Sequence, residues 1–244
     1  MIRFSKVSLC VAVVGAIAPL AHGVSFLNKL YNTGLDDANV KLNTAAQTQD
    51  NHYVLSSIEP QYFEAYAVKG YVSYWMPSSS DYVDGGGNTF ASQWISPKWI
   101  PGGDAGEVNN WPLNQQFNYT LSFNLGAETP LDIKGQWMAD NGSNLSAGLV
   151  SEIYVNDVAT GQQIVAGEFP PFNNWYEFDL KGSYFNKGAN TITFSVTNWA
   201  QDFGNPTGVR AVFTSAEATP EPFTLVLCFG ALALGVYRGR ARKV

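Results

Sequence analysis

Cysteine is nearly absent from this chain of 244 residues, and its two copies, Cys10 and Cys228, lie near the two ends. The long stretch between them can form no disulfide, no thiolate metal site and no cysteine nucleophile. Histidine is as scarce, with only His22 and His52. His52 alone cannot build a zinc cluster. It could serve a Ser-His-Asp triad, but no Gly-x-Ser-x-Gly elbow occurs. Charge is also sparse: 14% of residues are charged, against about 25% in an average chain. The net charge is -6. Six basic residues sit at the ends (Arg3, Lys6, Arg238, Arg240, Arg242, Lys243), so the body is more acidic still. That disfavours nucleic acid and anionic lipid as partners. No glycine-rich phosphate loop leads into a helix, and no part of the body carries a sustained helical stripe.

Long apolar runs occur only at the ends. Arg3 and Lys6 precede the apolar stretch Val7 to Leu20. Ala21 and Gly23 then place small residues at the minus-three and minus-one positions of a signal-peptidase site. This predicts a signal peptide over 1–23, helical in its apolar part and cut after Gly23. At the other end, Pro220-Glu221-Pro222 is followed by Phe223 to Tyr237 and then by Arg238, Arg240, Arg242 and Lys243. The apolar run of fifteen residues is short against the roughly 20 of a comfortable spanning helix. That shortness argues against the plainer reading, an ordinary C-terminal transmembrane anchor, and so short a transmembrane helix suits a transient handle for a processing enzyme better. The order of rigid turn, apolar run and basic end over 220–244 resembles the PEP-CTERM sorting signal of Gram-negative bacteria. The resemblance implies recognition by an exosortase at the inner membrane, then delivery to the cell surface or extracellular matrix.

The body, 24–219, reads as one domain of strands and turns. Phe117, Tyr119, Leu121, Phe123 and Leu125 alternate along one face. Ile192, Phe194 and Val196 do the same in a second strand, and Ile133 and Trp137 share a face in a third, over 131–137. Shorter strands are expected at 40–42, 52–56, 92–95, 153–155, 175–180 and 209–213. Turns are expected at Asn141-Gly142 (a type I′ hairpin), Thr160-Gly161, Pro170-Pro171 and Lys187-Gly188. Residues 71–112, with Gly85-Gly86-Gly87 and four tryptophans, read as a long loop inserted over one edge of the sandwich. The expected fold is all-β, a single β-sandwich.

The order of motifs Gln93-Trp94-Ile95-Ser96-Pro97, Ile133 to Asn141, Ile153 to Asn156 and Gly188 to Phe194 is informative. It resembles the galactose-binding-like jelly-roll domains of bacterial surface proteins, over about residues 31–214. The resemblance implies a jelly roll, often a carbohydrate-binding module, but assigns no ligand.

Tryptophan placement supplies the candidate binding residues. Sugars stack apolar C–H faces on aromatic rings and need polar partners for their hydroxyls. Trp99, Trp111 and Asn110 lie in the Pro/Gly-rich segment, with Trp75, Tyr74 and Tyr82 near its start. Each could instead pin the loop to the sheet. Trp94, Trp137 and Trp199 read as core. Asp36 and Asp37 are candidate ligands of a structural calcium ion, and Asp140 to Asn144 is a faint calcium-loop match that a hairpin turn explains more simply. Otherwise no cofactor is expected. Six body glutamates, among them Glu64 and Glu152, could in principle serve glycoside hydrolysis, but nothing pairs them. The resulting expectation is an exported, non-catalytic protein whose partners are signal peptidase, exosortase and extracellular polysaccharide. A purely structural surface protein and a carbohydrate-active enzyme are the alternatives.

Overall fold

The computed structural model describes residues 26–27, 30–57, 64–68, 75–77, 79–97, 115–126, 131–165, 172–198 and 207–218. Both segments expected to serve targeting lie outside the described residues, with Ala21, Gly23, Pro220, Glu221, Pro222, Arg238, Arg240, Arg242 and Lys243. No helix among the described residues is long and apolar enough to cross a membrane.

The body is all-β. Its strands are β1 (Gln49–Ser57), β2 (Glu64–Val68), β3 (Tyr82–Val83), β4 (Thr89–Phe90), β5 (Trp94–Pro97) and β6 (Gln115–Leu125). They continue with β7 (Leu131–Asp140), β8 (Glu152–Val155), β9 (Val158–Gln163), β10 (Tyr176–Leu180), β11 (Gly188–Asn198) and β12 (Gly208–Ala218). Ten of them form one antiparallel sheet in the order β10-β7-β12-β5-β2-β1-β6-β11-β8-β9. The sheet folds back on itself into a nearly closed sandwich. At the seam between its edges, the Asp179 amide on β10 donates to Gln162 Oε1 on β9 at 3.4 Å.

The inner core follows from period-two alternation. Phe117, Tyr119 and Leu121 of β6, Ile192, Phe194 and Val196 of β11, and Ile133 and Trp137 of β7 all point inward and are fully buried or nearly so. Phe194 meets Trp137, Phe178 and Phe213 at ring-centroid distances of 5.7, 6.0 and 6.3 Å, joining the two sheet halves. Gly135 permits this. A Cβ there would lie 2.1 Å from the Val212 carbonyl oxygen and 2.3 Å from the Phe178 ring.

Several sequence expectations need correction. Residues 40–42 form only an isolated bridge, Leu35 to Lys41. Asn141-Gly142 is no hairpin turn: β7 pairs with β10 and β12, neither of which follows it directly. Neither residue has the positive φ a type I′ turn requires. That turn occurs at Asn156-Asp157, with φ of 49° and 63°, joining β8 to β9. Thr160-Gly161 is not a turn but lies inside β9, where the register with β8 shifts. The segment 71–112 is not one loop over an edge: β5 sits within the sheet between β12 and β2. The part before it covers the sheet's outer face.

Candidate functional site

The segment 75–92 lies over the outer side of β7, β12 and β5. Met138, Arg210 and Trp94 alternate with the inward Trp137, Ala211 and Ile95, so they point outward, yet all three are fully buried. Trp75 completes this second core, its ring centroid 4.3 Å from that of Trp94. Trp75 is 3% exposed, and its indole N–H donates to Asp140 Oδ2 at 2.7 Å. It offers no free ring face, so its expected role as a sugar platform is corrected to packing. Gly208 makes room for it: a Cβ there would lie 2.8 Å from the Trp75 ring.

Arg210 organises the covering segment. Its Nε donates to Ser92 Oγ at 2.9 Å. Its terminal nitrogens donate to the carbonyls of Pro77 at 3.0 Å, Ser80 at 2.9 Å and Ser92 at 3.0 Å. Asp81 lies 3.6 Å away and also pairs with Lys41 at 2.7 Å. Burial pushes the guanidinium down to about 10, against the opposing pull of Asp81, so it stays charged at neutral pH. Its Cζ sits 5.3 Å from the Trp175 ring centroid, a cation–π contact that fixes the ring.

On this base stands a short hairpin, β3 paired with β4. Its glycine turn is closed by Asp84. Asp84 Oδ1 accepts the amides of Gly86 and Asn88 at 2.9 and 2.8 Å, and Oδ2 accepts Asn88 Nδ2 at 2.8 Å. These donors hold the Asp84 carboxyl below its usual value, led by the Asn88 side chain. Tyr82 of the hairpin meets Trp175 edge to face at 5.5 Å and 69°, and Phe90 at 6.1 Å. Tyr82, Phe90 and Trp175 are each half-buried. They form a partly exposed aromatic step resting on Arg210, and the Asp84–Asn88 turn connects the two hairpin strands that carry Tyr82 and Phe90. This combination suits the C–H face and hydroxyls of a sugar.

Of the expected binding residues, Tyr82 therefore lies at an aromatic site and Trp75 beneath it. Trp99, Trp111, Tyr74 and Asn110 lie outside the described residues. Trp175 and Arg210 went unrecognised in the sequence. Arg210 left a signal: a lone cation in the strand sequence Gly208-Val209-Arg210-Ala211-Val212.

The two acidic candidates for calcium serve different partners. Asp36 Oδ1 accepts the amides of Ala38 and Val40 at 2.9 and 2.8 Å, closing its own turn. Asp37 Oδ1 lies 3.0 Å from His52 Nε2. On the other side, His52 Nδ1 is 3.3 Å from Asp50 Oδ1, close enough for attraction but without hydrogen-bond alignment. The His52 ring stacks on Tyr31 at 3.6 Å. Burial opposes the charged imidazole, but Asp50 and Asp37 outweigh it and the His52 pKa is raised. No cluster of three His, Cys, Asp or Glu among the described residues is disposed to hold a metal. Asp140, the acid of the faint calcium-loop match, is turned into the second core instead. Burial pushes its carboxyl up to about 7, against the opposing Trp75 hydrogen bond.

No family model, curated protein or solved structure matches this chain.

Proposed function

We propose that this is an exported, non-catalytic carbohydrate-binding protein of the cell surface or extracellular matrix, built on a jelly-roll sandwich. Signal peptidase acts at Ala21–Gly23. An exosortase handles the tail from Pro220, through a short membrane helix that is present only before processing. The observation that carries the binding function is the half-exposed step of Tyr82, Phe90 and Trp175, resting on Arg210 and joined to the polar Asp84–Asn88 turn. Rigid aromatic surface binds a sugar face without first losing side-chain freedom. The export reading rests on the two terminal sequence patterns.

The test is affinity electrophoresis of the mature protein, purified after export, in gels containing the producer's own exopolysaccharide and a set of defined glycans. Retardation by at least one glycan is expected, and Trp175→Ala and Tyr82→Ala should each remove it while leaving the melting transition cooperative. Binding untouched by both substitutions would move the function away from this site. Intact-mass detection of Arg238 to Val244 on surface-extracted protein would refute the sorting step.

A further inference from the structure

We infer that the aromatic step takes a glycan carrying free amino groups, such as a polymer of deacetylated amino sugars. This rests on the carbohydrate-binding reading above and concerns the charge of the sugar. The body that carries the step is acidic as a whole. Between residues 24 and 219 there are eight basic and nineteen acidic side chains, a net charge of -11. A field of that sign repels polymers of uronic acids and draws cationic ones.

The local geometry agrees. The two cations packed near the step are already engaged. Lys41 is bound to Asp81 at 2.7 Å. The Arg210 guanidinium is 0% exposed, with its donors committed to Ser92, Pro77 and Ser80. The buried Arg210 cannot reach out to a sugar carboxylate, and Asp81 offsets the charge of Lys41. The acid of the hairpin turn is Asp84, partly exposed and held in its ionised form by the donors of its own turn. Its Oδ1 is taken up by the Gly86 and Asn88 amides, whereas Oδ2 accepts Asn88 Nδ2 alone and keeps a lone pair for a further donor. A sugar ring stacked on Trp175 or Tyr82 would bring a substituent amine toward this carboxylate. An exposed ion pair is weak singly, but a polymer of amino sugars offers an ammonium in every register in which a ring can stack on the step.

The experiment compares glucosamine oligomers with their fully N-acetylated counterparts, which share the backbone and carry an uncharged acetamido group in place of each ammonium. It uses isothermal titration of the exported mature protein at pH 6. The free-amine oligomer is expected to bind about tenfold more tightly, with the advantage shrinking as salt rises. Asp84→Asn keeps an oxygen for the turn amides and removes the charge, so it should erase most of the tenfold. Polygalacturonate should not bind. Equal affinity for the two oligomers, or tighter binding of polygalacturonate, would overturn the inference. If Trp175→Ala still abolished binding in that case, the carbohydrate-binding reading would stand without it. Oligolysine of matched charge binding as tightly as the glucosamine oligomer would also overturn it, by reducing the effect to bulk charge. Absence of binding to every sugar in the series would overturn both readings.

Discussion

The two outer faces of the sandwich are built by the same rule and end in opposite surroundings. On the half formed by β7, β12 and β5, the outward residues are Met138, Arg210 and Trp94, all sealed beneath the segment 75–92. On the half formed by β1, β6 and β11, the outward residues include Val54, Ser122, Thr120 and Thr193. Val54 and Ser122 are exposed, and the two threonine hydroxyls pair with each other at 2.9 Å. Alternation marks which residues leave the inner core, but it does not say whether they reach water. The residue types do: a tryptophan, a methionine and a lone arginine in outward positions mean that something covers them.

Hollowing the covered face has the largest expected effect. Trp94→Ala removes a fully buried indole that also donates to the Met76 carbonyl at 3.0 Å. It should cost about 3–5 kcal/mol of unfolding free energy. Ser122→Ala on the open face should change stability by less than about 0.5 kcal/mol. Urea unfolding of both variants measures the contrast. Similar costs at the two sites would mean that the cover is not packed as described.

Arg210 tests what kind of core lies under the cover. Arg210→Met fills similar space but leaves the carbonyls of Pro77, Ser80 and Ser92 without their donor. Unsatisfied buried acceptors cost about 1–3 kcal/mol each where water cannot reach them. A total loss near 3 kcal/mol is expected, since Pro77 and Ser80 sit at the exposed margin. The distinguishing readout is local. Limited proteolysis should open the chain between residues 77 and 92 while the inner sandwich resists. Uniform cleavage of the whole body would show that the arginine supports the entire domain instead.

Asp140 adds a pH dependence that belongs to the covered face. Its folded pKa of about 7 lies above the ordinary 3.8 because burial disfavours the carboxylate. A raised carboxyl binds its proton more tightly in the folded state. Its contribution is therefore fully present below about pH 4 and is lost as pH rises through 7. The loss amounts to at most about 4 kcal/mol, from roughly three pK units at 1.36 kcal/mol each. Asp140→Asn should flatten the fall in melting temperature between pH 5 and pH 8. A slope unchanged by that substitution would place the titration elsewhere.

The inner core was legible in the sequence because its strands obey a period of two and β6 and β11 carry large apolar residues at successive inward steps. Phe117 to Leu125 and Ile192 to Val196 are such cases. β9 was not legible, because it is a polar edge strand whose Thr160-Gly161 reads as a turn; there Gly161, at φ 74°, serves a register shift. The covered face was half legible. Trp94 was read as core, but its direction could not be known without its sheet neighbours. Trp175 and Tyr82 lie more than ninety residues apart, and only the fold brings their rings together. Asp140 was read by its neighbours Asn141 and Gly142, while its actual partner, Trp75, lies 65 residues away.

His52 gives the smallest effect and lies near the open face. Its imidazole is held between Asp37 of the N-terminal segment and Asp50 of β1, flat against Tyr31. The net rise in its pKa means that the folded state favours the charged ring. That stabilisation is full below the ordinary 6.5 and disappears as pH rises through the folded value. It has the same sign as the Asp140 effect, so the wild-type slope between pH 6 and pH 8 combines both. His52→Gln should remove only the smaller part, and Asp140→Asn with His52→Gln should leave the interval nearly flat. An imidazole proton titration by NMR isolates the histidine directly. A midpoint below 6.5 would show that burial outweighs the two carboxylates and that the clasp holds a neutral ring.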